Sequence, residues 1–407
     1  MYEGDVFQSS QNGNTGAPLY VAATRQHVGK TSTSLALLSG LQKRFDRVGF
    51  MKPVGQQSLQ VEENGKIVDC DKDAVLVKHH FGLDHLKYGD ISPVLIPRGY
   101  TRDYLDGKIR LEHQEELVYN AYRAVSADSE IVLCEGTGHC AVGSIVHASN
   151  AQVASWLGAK MILVANGGLG NTFDELELNK VLCDKEGVEI CGVIINKVQP
   201  EKLDQTREYL TKALDLHWDG VPLLGCVPDR PFLGCPALSD LEKLFKTKLL
   251  TGENHKLRHY RVQDMNLVAT SLQVFLHTLR KNPSRSLYVC HASRNDILLG
   301  FLMDHPLRKQ GAGNESALVV TGTDEYPLSA QVLDIIEGLN ESGNAPPVML
   351  APYPTNVAMD MIHRYTPKLN FEDDNRVNTT VKHYEPHIDF DLLLERTGHL
   401  DRANQVN

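Results

Sequence analysis

The residues best suited to chemistry lie in one short segment near the start of the sequence. Residues 24–32 read TRQHVGKTS, after an apolar run at 19–23 (LYVAA) and before a helical pattern over 30–45. They match the pattern G-x-x-x-x-G-K-[ST], except that a threonine replaces the first glycine. In such loops backbone N–H groups bind phosphate oxygens at a helix N-terminus, the lysine reaches the β- and γ-phosphates, and the next hydroxyl ligates Mg²⁺. The segment therefore predicts a nucleotide-binding loop of Thr24, His27, Val28, Gly29, Lys30, Thr31 and Ser32.

Two carboxylates are placed where a metal ion would need them. Glu135 follows the apolar run IVLC, and Asp73 lies at the start of a helical pattern over residues 71–81. Because Mg²⁺ takes oxygen ligands and shares them with phosphates, we expect Thr31, Asp73 and Glu135 to hold it. Taken singly, Asp73 also fits a helix N-terminal acid and Glu135 a surface carboxylate.

Two more polar residues lie at the ends of predicted strands around this loop. Lys52 follows the strand pattern VGFM, and Asn196 ends the strand pattern VII. A lysine aimed at the γ-phosphate neutralises charge that develops during phosphoryl transfer, so Lys30 and Lys52 are the predicted catalytic residues. An ordinary strand-end lysine and a turn-forming asparagine are the alternatives for Lys52 and Asn196.

Thr24 replaces the first glycine of the general pattern, and Val28 precedes the final Gly-Lys-Thr. A loop with these two features resembles that of the dethiobiotin synthetase-like branch of P-loop proteins. Further matching segments are KPV at 52–54, DKDA at 71–74, EGTG at 135–138 and IINK at 194–197. The resemblance implies that Lys52 lies near the transferred phosphoryl group and the substrate carboxylate. It also implies that Asp73 and Glu135 are the acidic groups at Mg²⁺ and that Asn196 reads the adenine edge.

A wider resemblance covers residues 18–395. The run VANGGLGNTFDELELNK at 164–180, with SRNDILLGF and VVTGT in the second half, is similar to the two N-terminal modules of long phosphate acetyltransferases. Those modules are a dethiobiotin synthetase-like P-loop domain and a DRTGG domain. The same pair resembles stand-alone proteins labelled cobyrinic acid a,c-diamide synthase-like. In this chain SRND at 293–296 and TGT at 321–323 stand where related sequences have more glycine.

Short apolar runs alternate with helical patterns, which is typical of parallel strands buried on both faces. We predict an α/β chain: a P-loop NTPase-type, mostly parallel sheet flanked by helices, then a smaller α/β DRTGG-like domain. The predicted division is a disordered tail at 1–17, a nucleotide-binding domain at 18–235 and a second domain at 255–395. Residues 56–69 and 229–261 read as loops, and residues from 367 onward as an acidic, weakly helical tail.

Composition limits the partners. The net charge is −10 and no basic stripe is present, which excludes a broad nucleic-acid surface. No apolar run approaches the length of a membrane span, and the N-terminus lacks the pattern of a signal or transit peptide, so we expect a cytoplasmic protein. Eight scattered cysteines without a C-x-x-C pair indicate free thiols in a reducing compartment.

The predicted cofactors are ATP and Mg²⁺, and three functions remain open. The first is an ATP-dependent ligase or ATPase that phosphorylates a small carboxylate or a carbamate. The second is a non-catalytic, ATP-sensing regulatory module whose second domain senses another ligand or docks a partner enzyme. The third is a partitioning-type ATPase that dimerises on binding ATP, and a homo-oligomer is therefore a possible assembly. In the second domain Arg294, Asp296, Thr321 and Asp324 either line a regulatory pocket or serve ordinary turns.

Overall fold

Several strands of the first half are short and apolar, as buried parallel strands are. The computed structural model describes residues 16–281, 285–304, 315–341 and 345–406, so residues 1–15 of the predicted tail lie outside the described residues. The first ten strands are β1 (Leu19–Ala23), β2 (Val48–Met51), β3 (Val54–Gly55), β4 (Ser58–Glu63), β5 (Lys66–Asp71), β6 (Val94–Leu95), β7 (Ile131–His139), β8 (Lys160–Asn166), β9 (Ile190–Val198) and β10 (Leu223–Pro228).

Six of these strands form one parallel sheet in the order β10-β9-β8-β1-β7-β2. Every residue of β1 and β2 is buried, which requires that layers of chain cover both faces of the sheet. The carboxyl ends of parallel strands share one edge, where α/β sheets bind ligands. The predicted α/β class, with a mostly parallel P-loop NTPase-type sheet flanked by helices, is confirmed.

Eight helices alternate with these strands: α1 (Lys30–Gln42), α2 (Lys72–Phe81), α3 (Tyr88–Ile91), α4 (Tyr100–Leu105), α5 (Leu111–Ala127), α6 (Asn150–Trp156), α7 (Gly170–Lys185) and α8 (Leu203–His217). Helix α1 begins at Lys30, within the predicted phosphate-binding segment at 24–32. Its preceding residue, Gly29, has a φ of 96°, a backbone conformation that favours glycine.

The prediction of a loop over residues 56–69 is wrong. Strands β4 and β5 pair antiparallel from Ser58↔Asp71 to Glu63↔Lys66, and their turn lies at residues 64–65. Both strands are largely exposed, so their sequence contains no apolar run that would have predicted a strand. Asn64 and Gly65 have φ values of 52° and 76°, which suits the asparagine-glycine pair of a tight hairpin.

The second unit spans residues 230–368 and has its own sheet. Its strands are β11 (Leu249–Thr251), β12 (Met265–Leu267), β13 (Leu287–His291), β14 (Ala317–Thr321) and β15 (Val348–Ala351), in the order β11-β15-β14-β13-β12. Its helices are α9 (Leu238–Phe245), α10 (Leu272–Lys281), α11 (Asn295–Asp304), α12 (Ala330–Glu341) and α13 (Thr355–Arg364). The prediction of a loop over 229–261 is therefore wrong where α9 and β11 lie.

Alternate residues of the second sheet face two separate apolar cores. Tyr288 and Cys290 of β13 belong to one core, whereas Leu287 and Val289 belong to the other. Successive side chains of a strand point to opposite faces, so helices must cover both sides of this sheet. All strand pairs in it are parallel except β11 with β15.

The end of the chain returns to the first unit, which comprises the described residues up to Asp229 and those from Leu369 onward. This division differs from the predicted one, which placed 255–395 together. The returning helices are α14 (Asp374–Tyr384), α15 (Phe390–Thr397) and α16 (Leu400–Val406).

Two contacts explain why these helices belong to the first unit. The Asp389 N–H donates to the Leu224 carbonyl of β10 at 2.7 Å. The Phe390 ring lies against Gly40 of α1, where a Cβ would come within 2.0 Å of the ring.

Two further expectations concerned membrane-spanning segments and the state of the cysteines. None of the helices that the structure describes is long and apolar enough to cross a membrane. All eight cysteines are buried free thiols, as predicted.

Candidate nucleotide site

The loop between β1 and α1 is fixed at both ends by backbone contacts. At its start, the Thr24 N–H donates to the Val164 carbonyl of β8 at 2.9 Å. At its end, the Gly29 carbonyl accepts from the Thr33 N–H at 3.0 Å. No side chain caps the N-terminus of α1. The first amides of that helix, with the positive end of its dipole, therefore form the kind of site that binds an anion.

Glu135 on β7 brings three of the predicted residues together. Its side chain is fully buried. Its Oε1 accepts a hydrogen bond from the Thr31 hydroxyl at 2.9 Å and lies 3.4 Å from the Lys52 ammonium and 3.7 Å from the Lys30 ammonium. Its Oε2 is buried and has no hydrogen-bond partner in the structure. The Glu135 carboxylate thus has two ammonium groups and one hydroxyl around its Oε1, whereas its Oε2 has no hydrogen-bond partner among the described residues.

Lys52 gathers the other acidic groups. The residue is 4% exposed, and its ammonium pairs with Asp73 Oδ2 and lies 3.5 Å from Asp71 Oδ1. Together with Glu135, these side chains form a buried cluster that we call the Lys52 cluster: Lys52, Asp71, Asp73 and Glu135. Burying one cation among three carboxylates is tolerated only where further hydrogen bonds and charges complete the network.

Asp71 is a member of this cluster that the sequence analysis missed. It caps α2, since its Oδ1 accepts from the Asp73 N–H at 2.9 Å. Its Oδ2 accepts from the Gln56 and Gln57 N–H groups at 3.1 and 3.3 Å, so the carboxylate also fixes the start of the β4–β5 hairpin. The signal that could have revealed it is the acid two residues before Asp73, at a helix N-cap position.

The charges in the cluster shift one another's protonation. Burial acts to lower the pKa of Lys52, but the surrounding carboxylates raise it well above its usual value. Burial acts to raise the pKa of Asp73, but the ammonium of Lys52 holds it at about 2. Burial raises the pKa of Asp71, and Lys52 only partly offsets this. Burial lowers the pKa of Lys30, although Glu135 opposes the shift.

The acidic side chains near the loop suit a metal ion only together with other ligands. Among the residues that the structure describes, no group of three or more His, Cys, Asp or Glu side chains is arranged to hold one. Mg²⁺ bound with a nucleotide does not need such a cage, because it uses one or two carboxylates with phosphate oxygens and water. Glu135 fits that smaller requirement, because its Oε1 is bonded to the Thr31 hydroxyl and its Oε2 has no hydrogen-bond partner among the described residues.

Asn196 lies on the other side of the loop, at the end of β9. Its Nδ2 donates to the Val28 carbonyl at 2.6 Å, and its Oδ1 accepts from the Lys197 N–H at 2.7 Å. The Lys197 ammonium donates to the His27 carbonyl at 2.8 Å. Both residues therefore hold the backbone of the phosphate loop. The predicted reading of adenine by Asn196 stays a prediction.

Thr24, which replaces the usual glycine, is tied to α7. Its hydroxyl donates to Glu175 Oε2 at 2.9 Å, and its carbonyl accepts from Asn179 Nδ2 at 3.3 Å. Asn179 Oδ1 also accepts from the Cys140 N–H, in the segment that follows Glu135. Neither Glu175 nor Asn179 was predicted to have a role, although both lie in the run at 164–180 that carried the resemblance.

Three of the four polar residues predicted to line a pocket in the second unit make local contacts. Arg294 donates twice to the carboxylate of Asp296, at 2.9 Å each. The Thr321 hydroxyl donates to the Cys290 carbonyl at 3.0 Å and lies 2.7 Å from the Thr355 hydroxyl. These contacts are those of turn and strand-end chemistry.

Comparison with known proteins agrees with the loop geometry. A family model described as an AAA domain, AAA_26, matches residues 17–237, which is just over half of the chain. A phosphate acetyltransferase of Synechocystis is 25% identical over 383 residues, which cover 92% of this chain and 51% of that protein. A phosphate acetyltransferase of Pseudomonas aeruginosa is 25% identical and is covered to 52%, against 93% of this chain. The chain thus spans about half the length of these curated relatives.

Among solved structures, a plasmid partition protein of Borrelia burgdorferi B31 bound to AMPPNP is similar at 12% identity and a TM-score of 0.35. The match covers 53% of this chain and 88% of that one.

Proposed function

The chain belongs to the AAA_26 family of AAA domains, and on this premise we propose that its first unit binds MgATP through the loop at residues 24–32. The observation that carries the proposal is the convergence on Glu135. The Thr31 hydroxyl and the ammonium groups of Lys30 and Lys52 all approach its Oε1 beside the N-terminus of α1, while its Oε2 has no hydrogen-bond partner within the part of the chain that the structure describes. Cations and a hydroxyl around a buried carboxylate, next to a helix N-terminus, suit a metal-bound polyphosphate.

Each residue has a defined role in this proposal. Lys30 binds the β- and γ-phosphates, and the backbone N–H groups of residues 28–32 bind the remaining phosphate oxygens. Thr31, Asp73 and Glu135 hold Mg²⁺, which neutralises phosphate charge when it is bound. The surrounding carboxylates raise the pKa of Lys52 and so keep it charged. Its ammonium lies 3.4 Å from Glu135 Oε1, next to the place proposed for the terminal phosphate, and stabilises charge on that phosphate during transfer.

The reaction that this arrangement suits is phosphoryl transfer from ATP to a carboxylate or a carbamate. Such transfer is catalysed mainly by positioning and by electrostatic stabilisation, which the Lys52 cluster and the helix N-terminus supply. The walls of the acceptor site are the start of the β4–β5 hairpin and the segment after Glu135. Both adjoin the cluster, since Asp71 binds the Gln56 and Gln57 N–H groups and the Thr137 hydroxyl donates to the Val54 carbonyl.

One observation favours a second function, an ATP-sensing module without turnover. The relatives that match over more than nine-tenths of this chain are phosphate acetyltransferases about twice its length. In that reading the first unit binds ATP and communicates with a partner enzyme, which would require two states that nucleotide binding distinguishes.

The test of ATP binding is titration calorimetry with ATP, with and without Mg²⁺. Lys30→Ala removes a charged hydrogen-bond donor to the phosphates, which contributes about 1.5–3 kcal/mol, so affinity should fall roughly 10- to 150-fold. Lys212→Ala, at an exposed lysine of α8, is the matched control and should bind as the wild type does. Equal affinity in Lys30→Ala and wild type would contradict the assignment of the loop.

Turnover is tested separately by ADP release with MgATP and a panel of small carboxylates, amines and bicarbonate. Release that one compound stimulates and Lys30→Ala abolishes would establish an enzyme and its acceptor class. Tight binding without release under any condition would establish the sensing module.

A further inference from the structure

Two buried thiols lie in contact beside the candidate nucleotide site. Cys140 is the residue that follows β7, the strand of Glu135, and Cys183 lies in the last turn of α7. Their Sγ atoms are 3.7 Å apart, although the two residues are 43 positions apart in the chain. Both side chains are fully buried free thiols. A disulfide joins sulfur atoms about 2 Å apart, so a shift of about 1.7 Å brings this pair to bonding distance.

The face of α7 that carries Cys183 also holds the phosphate loop. Glu175, Asn179 and Cys183 are spaced four residues apart, so their side chains lie on one face of the helix. Asn179 Oδ1 accepts from the Cys140 N–H at 3.0 Å, and Asn179 Nδ2 donates to the Thr24 carbonyl at 3.3 Å. Glu175 accepts from the Thr24 hydroxyl at 2.9 Å. The segment after β7 and the start of the loop are therefore both attached to α7, one turn before Cys183.

Bonding the two sulfur atoms would disturb these attachments. Cys183 is part of a helix, and its carbonyl also accepts from the Val188 N–H at 2.8 Å. Cys140 lies in a turn instead, so most of the shift falls on it. Its N–H is the group that Asn179 accepts from, and a displacement of more than 1 Å takes a 3.0 Å hydrogen bond outside the range in which such bonds hold. The amide of Asn179 then no longer joins the segment after β7 to Thr24.

We propose that Cys140 and Cys183 are a modification site, a thiol pair that a peroxide converts into a disulfide and that thereby weakens nucleotide binding at the loop. The effect on nucleotide binding rests on the proposed function. One thiol loses its proton and attacks the peroxide, the O–O bond breaks, and the hydroxide that leaves takes up the proton as water, which leaves a sulfenic acid. The second thiol attacks that sulfur, the S–S bond forms, and a second water leaves. The two thiols lose two hydrogens and two electrons, and one hydrogen peroxide becomes two waters.

The surroundings of the pair determine when it reacts. The hydrogen bond with Cys183 and burial raise the pKa of the Cys140 thiol well above its usual value. Because the thiolate is the reactive form and both thiols are buried, the pair stays reduced on brief exposure and reacts through local opening of the chain. A disulfide that forms under sustained oxidation and is removed by thiol reductants is the transient, redox-sensing type found in reducing compartments.

The test follows the full chain through oxidation and reduction. Reduced protein, protein kept for hours in excess hydrogen peroxide, and the same protein after dithiothreitol are each titrated with MgATP by calorimetry and digested for peptide mass mapping. We expect a peptide that links Cys140 to Cys183 in the oxidised sample alone. ATP affinity should fall roughly 2- to 10-fold on oxidation, which corresponds to the loss of one neutral hydrogen bond, and should recover after reduction.

Two variants separate this disulfide from other oxidation. Cys183→Ala cannot form it and keeps every methionine, so peroxide should leave its ATP affinity within about twofold of the reduced value. Cys290→Ala, at a buried thiol of β13 in the second unit, is the matched control and should respond as the wild type does. If Cys183→Ala does not fold, Cys140→Ala serves the same purpose.

Three results would each overturn the inference and leave the proposed function intact: no linked peptide, a linked peptide without a change in ATP affinity, or an equal loss of affinity in Cys183→Ala. If the reduced wild type binds no ATP, the proposed function falls and the effect on nucleotide binding falls with it, whereas the peptide map still decides whether the two thiols form the disulfide.

Discussion

Replacing Lys52 with methionine should destabilise the first unit by an amount that depends on pH. Methionine is similar in length and shape but carries no charge, so the change leaves Asp71, Asp73 and Glu135 in place around a neutral side chain. The lysine is 4% exposed, and its ammonium lies within 3.5 Å of a carboxylate oxygen on each of the three. Removing one partner of a buried ion pair costs about 3–5 kcal/mol, because the remaining charge is buried without compensation. We expect a loss in that range at pH 8.

The pH dependence follows from the carboxylates. In the wild type the pKa of Asp73 is held at about 2, below its ordinary 3.8, so ionised Asp73 contributes about 2 kcal/mol that is lost as pH falls from about 4 through 2. Without Lys52, burial dominates and the pKa values of the buried carboxyls rise above their unfolded values. The folded variant then binds more protons than its unfolded state, so its stability increases as pH falls. The difference between Lys52→Met and wild type should therefore shrink between pH 8 and pH 5.

The assay is urea unfolding followed by tryptophan fluorescence. The chain has two tryptophans, Trp156 and Trp218, and both lie in the first unit, so the signal reports on that unit alone. Lys212→Met removes an exposed, paired lysine and should change the free energy of unfolding by less than about 0.5 kcal/mol. A loss below about 1 kcal/mol in Lys52→Met, or one of equal size at both pH values, would refute this account of the cluster.

Two further predictions use the same fluorescence assay. Gly40→Ala would ordinarily stabilise a helix interior by about 1 kcal/mol, but its Cβ would lie within 2.0 Å of the Phe390 ring, so we expect a net loss of up to about 2 kcal/mol. In a Phe390→Ala background the same change should be neutral or stabilising; equal losses in both backgrounds would contradict the contact. Burial lowers the pKa of His399 to about 4, so as pH falls from about 6.5 to 4 only the unfolded state gains a proton, and stability should decrease by roughly 3 kcal/mol. His399→Gln cannot titrate and should lose this part of the pH dependence; an unchanged slope would show that other groups cause it.

The sequence predicted the fold class well because the evidence for it is local. The apolar runs that became β1, β2, β8 and β9 are buried on both faces, so their burial is visible in composition alone. The polar hairpin at 58–71 carries no such signal, and only the pairing of its two strands in space reveals it. The unit to which the end of the chain belongs was equally hard to predict, since the sequence of α14 and α15 indicates only amphipathic helices that could pack on either unit.

The candidate site divides in the same way. The phosphate loop, Lys52 and Glu135 were recognisable because each follows an apolar strand, and strand ends of a parallel sheet converge by topology. Asp71 was missed because a helix N-cap acid resembles many others, and only its 3.5 Å approach to the Lys52 ammonium distinguishes it. The approach of the Tyr384 hydroxyl to Gly29 could not be predicted, since no local pattern connects α14 with the loop.

By itself the sequence therefore determined which residues are candidates for binding phosphate and that they lie at the edge of a parallel sheet. It could do so because hydrophobic pattern and loop composition are properties of residues that are neighbours in the chain. Tertiary structure alone decided which charges meet, with Lys30, Thr31 and Lys52 on one oxygen of Glu135. It also decided that the Tyr384 hydroxyl, at the end of α14, approaches the loop at Gly29. Contacts between residues far apart in the chain depend on how helices and strands pack, and the free energy of that packing is set by buried area and shape complementarity that no short segment encodes.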